Sequence, residues 1–137
     1  MNARRRMIVV AFAFVGWALC FATIGLGMAT MSKDNALIVH AIAAPVFFMV
    51  LSLIYFTRFG YTTPLATAAM FVGFVVTMDF VLVSLVILRS LDPFTSLIGT
   101  WIPFSLIFLS AYLTGLYVTR RGAPARRQVA TPVSPTT

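Results

Sequence analysis

Charge is nearly missing from most of this chain. Only 9% of its 137 residues are charged, against about 25% in a soluble domain. A water-soluble globule is excluded, because too few polar side chains are present to cover a core. Cysteine is limited to Cys20, which excludes an intrachain disulfide and a CxxC redox pair. Histidine is limited to His40, so a haem with two axial histidines would need two chains. There is no HExxH, no glycine-rich phosphate loop and no nucleophile–base pair at a recognisable spacing. A hydrolase or transferase therefore has little support.

What is present is hydrophobicity, at 61% of residues. Four apolar runs cover residues 7–30, 36–57, 64–88 and 94–119. Each exceeds the roughly 20 residues a helix needs to cross a bilayer. The runs are continuous rather than alternating, which favours helices over a barrel. The expected fold is all-α: a polytopic membrane protein, built as an up-down-up-down bundle of four transmembrane helices. The short connections force consecutive helices to pack antiparallel and leave no room for an extramembrane domain. The first run follows Arg4-Arg5-Arg6, as in a leader, but it is long and three more follow it. It reads as a span. Trp17 and Leu19 before Cys20 do not suit a lipoprotein site.

The net charge of +7 does not point to nucleic acid, because of where it sits. Arg4, Arg5, Arg6, Arg58, Arg120, Arg121, Arg126 and Arg127 fall on one side if the chain crosses four times; Lys33 and Arg89 fall on the other. The positive-inside rule makes these arginines topology-determining. It predicts a multi-pass protein of the plasma (inner) membrane with both termini cytoplasmic. Residues 1–6 read as a basic arm in contact with anionic lipid. Residues 120–137, rich in Arg, Pro and Thr, read as a disordered tail. Tyr55, Tyr61 and Tyr117 read as belt residues at the cytoplasmic interface.

Helices in lipid associate through small residues and interhelical hydrogen bonds. Lines at alternating steps of 3 and 4 predict the seams. They are Gly16, Cys20, Thr23, Gly27 and Thr30 in the first span, and Ala66, Met70, Gly73, Thr77, Phe80 and Ser84 in the third. The fourth offers Ser96, Thr100, Pro103, Ile107, Ser110 and Thr114. A weaker line in the second passes through Ala41, Ala44, Phe48, Ser52 and Tyr55. Pro45 and Pro103 fall inside spans and predict kinks.

Asp79 is the only carboxylate inside an apolar run, which makes it a functional-site hypothesis by default. It lies about 15 Å from the outer end of its helix at 1.5 Å per residue. Cys20, Thr23, His40 and Thr100 come to similar or nearby depths and complete a candidate ion, proton or docking layer. At 100° per residue, Asp79 shares a face with Ala68, Val72, Val75, Val76, Val83 and Val86, away from Gly73 and Thr77. It therefore faces a second helix of the bundle or another chain. A polar partner is expected in a Thr, a Ser or the Trp101 N–H. Cys20, Met28, Met31, His40 and Met78 read as packing rather than as a soft-metal set. No metal or cofactor is assigned.

Thr77-Met78-Asp79-Phe80 in the third span and Gly99-Thr100-Trp101-Ile102-Pro103 in the last carry a resemblance. The chain resembles uncharacterised small prokaryotic four-helix integral membrane proteins. The resemblance implies architecture and brings no activity. The first-helix Glu of small multidrug exporters is missing, as are the paired cysteines of four-helix quinone-linked disulfide enzymes. The leading expectation is a small transporter or channel-like protein whose Asp79 handles protons or cations. The alternative is a non-transport accessory or assembly subunit with Asp79 as a docking point. The expected partners are the lipid bilayer and either a second copy or another membrane subunit.

Overall fold

The computed structural model describes residues 2–129, and every apolar run in it is helical. Helix α1 spans Ala3–Thr30. Arg4, Arg5 and Arg6 thus form its first turn rather than a separate arm. Helix α2 spans Lys33–Arg58. The Ser32 hydroxyl accepts from the Asn35 N–H at 3.4 Å, and Asp34 and Arg58 lie at the ends that favour their charges. Helix α3 spans Pro64–Met78, with proline in the first turn and the Thr63 hydroxyl accepting from the Ala66 N–H. A missing N–H costs nothing there.

The third long helix continues as a π-helix over Asp79–Leu88 and stops at Arg89, whose φ is 51°. A short helix, α4, covers Asp92–Thr95. A second π segment, Leu97–Trp101, leads into α5, Ile102–Val129. Four helical stretches are long and apolar enough to cross a membrane: Ala3–Thr30, Lys33–Arg58, Pro64–Leu88 and Leu97–Gly122.

Two further boundaries differ from expectation. The last long helix starts at Leu97 rather than residue 94, because α4 takes up the residues before it and Ser96 caps anew, accepting from the Gly99 N–H at 3.0 Å. The tail expected to be disordered from Arg120 is helical as far as Val129; Ala, Arg and Gln there are good helix formers. The rest of that tail, residues 130–137, lies outside the described residues.

The two interior prolines behave differently. Helix α2 is assigned without a break through Pro45. At Pro103 the backbone is π-helical up to Trp101. Proline cannot bond the carbonyl four residues back and clashes with it in an α-helix. The wider π turn moves that carbonyl away.

Helix packing closes a ring in which α1 meets α2, α2 meets α5, α5 meets α3 and α3 meets α1. Helix α2 packs most broadly along α5 and meets α3 through side chains, Phe48 and Tyr55 against Phe71. Residues 59–63, which join α2 to α3, are long enough to cross the diagonal. Glycines set the close approaches. A Cβ on Gly16 would stand 2.5 Å from the Phe48 ring, and one on Gly115 would stand 2.7 Å from Phe56 and 2.8 Å from Pro64. Gly27 approaches Ala36, and Gly99 approaches Leu37.

The expected seams hold in three spans. Gly16, Cys20 and Gly27 are buried in α1; Ala44, Phe48, Ser52 and Tyr55 in α2; Thr100, Pro103 and Ile107 in the last span. Most of the third-span seam is on the wrong face, although its last member, Ser84, is buried. Ala66, Gly73, Thr77 and Phe80 are exposed, while Thr67, Ala68, Phe71 and Val75 are buried. The packing face is the one that Asp79 shares. Bulky Phe71 fits it by interlocking with Phe48, at 5.5 Å between ring centroids.

Tyr55 is fully buried rather than a belt residue. Its hydroxyl lies 2.8 Å from that of Thr62, which lies 2.6 Å from that of Thr67. Thr67 donates to the Thr63 carbonyl at 3.0 Å. That fixes the direction of the chain: Thr62 donates to Thr67, and Tyr55 donates to Thr62. The network ties the end of α2 to the start of α3. Tyr55→Phe leaves Thr62 without its donor and should lower unfolding stability by about 1 kcal/mol, read in a denaturant titration in mixed micelles.

Candidate functional site

Asp79 stands where the third long helix changes register. Its N–H bonds both the Val75 and Val76 carbonyls, at the junction from α to π. The π geometry runs for ten residues from Asp79, and the widened backbone re-aims the residues that follow. The change is visible beyond Asp79. Val86, expected on the same face, is 60% exposed, whereas Ser84, five residues on, is fully buried. Five residues suit a π turn; an α-helical wheel misplaces them.

The Asp79 side chain is half-buried and reaches across to α1. Its Oδ1 accepts from the Trp17 indole N–H at 2.8 Å. Trp17 is nearly buried on α1. The expected partner, Trp101, donates instead to the Phe94 carbonyl at 3.0 Å. Among the described residues, no cationic side chain acts on the Asp79 carboxylate. A carboxylate offers about four acceptor sites, and Trp17 uses one.

Cys20 follows Trp17 by one turn, is 4% exposed, and lies within electrostatic reach of Asp79. The His40 ring, from α2, lies against the Cys20 backbone. Its Nδ1 is buried without a hydrogen-bond partner among the described residues. Asp79, Cys20 and His40 therefore come from three segments to one turn of α1. They do not converge as a metal cluster: among the described residues, no group of three or more His, Cys, Asp or Glu is gathered closely enough to hold an ion.

Thr100 is 6% exposed in the second π segment. Its neighbour Gly99 lies against Leu37, one turn before His40, so this part of the last span meets α2 near the same layer. Thr23 does not join the site. It is half-buried and its hydroxyl donates to the Leu19 carbonyl of its own helix. Ser84 was expected only as a packing residue; its hydroxyl is buried without a partner among the described residues.

Trp17 is the residue that sequence reasoning missed as a partner. A signal was available: only two tryptophans are present, and each N–H needs an acceptor in an apolar setting. Trp17 is also one element of a row. It stacks on Phe21 at 5.4 Å and approaches Phe14 at 6.0 Å; Phe14 meets Phe74 of α3 edge-on at 6.4 Å. No protein-family model, curated protein or solved structure was found to match this chain.

Proposed function

We propose that this chain crosses the plasma (inner) membrane four times, up-down-up-down, with both termini in the cytoplasm. We further propose that it acts as a small transporter or channel-like protein in which Asp79 handles protons or cations. The outward faces support insertion: Leu26, Ile42 and Leu97 are each at least 65% exposed. An apolar surface of this extent is a liability in water and suits hydrocarbon. Arg5 lies over the Tyr61 ring at 4.9 Å, which brings the N-terminal arginines to the same end of the bundle as the loop after Arg58 and supports the positive-inside reading.

The observation that carries the transport reading is the Asp79 carboxylate itself. It is half-buried against α1, accepts one hydrogen bond and has no cationic partner among the described residues. A carboxylate kept inside an apolar helix without a counter-charge is costly, and its remaining acceptor sites suit a proton or a cation. The test is proton or cation flux into liposomes containing the purified chain. Flux no greater than in empty liposomes refutes transport. Topology has its own check: a periplasm-active reporter should work at Asp34 and fail at Arg58, and the reverse pattern overturns the orientation.

A second reading is an accessory or assembly subunit that self-associates or joins another membrane subunit. The stripe Ala66, Gly73 and Thr77 favours it, because these residues are exposed and Gly73 meets nothing within 4 Å. Small residues on an open helix face permit close helix approach in lipid. The docking point then moves from Asp79, which is engaged by Trp17, to this stripe.

A further inference from the structure

The aromatic row around Asp79 has a chemistry of its own. Phe14, Trp17 and Phe21 follow each other on α1 at steps of 3 and 4, which aligns them on one face. Their rings form a continuous strip, extended by Phe74. The Asp79 carboxylate meets the strip at its middle, at the Trp17 N–H. The strip is not sealed: Phe14 is 49% and Phe21 40% exposed. Beside Phe14 and Phe74 an open groove of about 440 Å³ continues along Met7, Val10 and Ala11 to Arg6, whose charge stands about three turns of α1 away from Trp17 and Asp79. Beyond Asp79, the third span no longer packs broadly on α1, so the acid stands at a sideways opening.

Charge and polarity together select the occupant. Aromatic ring faces carry negative quadrupole potential, and Asp79 adds an acid without a counter-charge. Both favour a cation and disfavour an anion. A small hydrated metal ion demands several oxygen ligands, whereas this strip supplies one carboxylate, held by Trp17, beside a row of rings. A neutral apolar molecule gains nothing from Asp79. A cation with its own apolar surface satisfies both parts.

We propose that Asp79 and the Phe14–Trp17–Phe21 strip form a binding site for a lipophilic organic cation, reached sideways between α1 and the third span. The proposal rests on the reading of Asp79 as an ion-handling carboxylate and names its ligand class. The probe is tetraphenylphosphonium, with tetraphenylborate as its anionic counterpart, in equilibrium dialysis against the full chain in nanodiscs. Binding to empty nanodiscs is subtracted.

Saturable binding of the cation, without matching binding of the borate, is expected. Asp79→Asn, which keeps an acceptor for Trp17, should weaken it about tenfold or more, and Phe21→Leu by about three- to tenfold. Phe21→Tyr should bind like the parent chain. Equal binding of both ions, or parental affinity in Asp79→Asn, overturns the proposal. So does a Phe21→Leu chain that changes its oligomeric state while binding normally, because the strip is then an interface between copies. Flux of protons or sodium through Asp79 without saturable organic-cation binding refutes this ligand class and leaves the transport reading standing. Organic-cation binding that depends on Asp79, without any flux, supports the site and refutes transport.

Discussion

Asp79→Asn should leave the bundle folded and reduce flux to the level of empty liposomes. Asparagine has almost the same shape, and its amide oxygen still accepts from the Trp17 N–H that now bonds Oδ1. What it removes is the ability to take up a proton or balance a cation. Asp79→Ala separates the two roles further. It strands the Trp17 N–H, and losing an interhelical hydrogen bond in lipid costs about 1 kcal/mol, because the unfolded helices find other partners there. That is small beside a total stability of about 5–15 kcal/mol. The alanine chain should therefore melt slightly earlier while losing flux as fully as the asparagine chain. Flux retained in both variants removes Asp79 from the mechanism. A large loss of folded chain in Asp79→Asn would instead make the residue structural.

Gly16→Leu should be the most damaging single change to the fold. Even a Cβ at this position stands 2.5 and 2.7 Å from two atoms of the Phe48 ring. Phe48 is fully buried and packed against Phe71, so it has nowhere to turn. Forcing extra methylenes into such a contact costs about 1–3 kcal/mol, and occasionally more. Leucine adds four carbons where the first already clashes, so about 3 kcal/mol or more is expected. Separating α1 from α2 to relieve the clash would also loosen Gly27 from Ala36. The control is Gly73→Leu. That glycine meets nothing within 4 Å, and a surface change of this kind stays within about 0.5 kcal/mol. Thermal unfolding followed by circular dichroism in mixed micelles reads both. Similar melting of the two variants would contradict the packing described for α1 and α2. If Gly73→Leu instead dissociates a larger species, the exposed α3 stripe is an interface between chains.

The pair Gly16 and Gly73 also marks how far the sequence could be read. Both lie on lines of small residues at the same spacing, and nothing local distinguishes them. One is wedged against Phe48 and the other is open. Spacing reveals which residues share a face. It does not reveal which face turns inward, because in helices this apolar both faces are hydrophobic and the usual contrast between wet and dry sides is missing. The third span shows the cost of this. Its small-residue line is exposed, and its buried line carries Phe71 and Val75.

Composition and run length alone determined that the chain is all-helical with four long apolar helices, and where each begins to within a few residues. Those features depend on local backbone satisfaction and on the scarcity of charge, both written residue by residue. Asp79 was likewise legible as the one acid in an apolar run. Its partner was not. Tertiary structure decided that Trp17 rather than Trp101 meets it, that it is half-buried against α1, and that the helix widens into π geometry there. It also decided that α2 packs most broadly on α5. Each of these depends on residues brought together across many positions of the chain, with 62 positions separating Trp17 from Asp79. No helical period encodes such a pairing. It follows from which ridges and glycines fit once all four helices are packed.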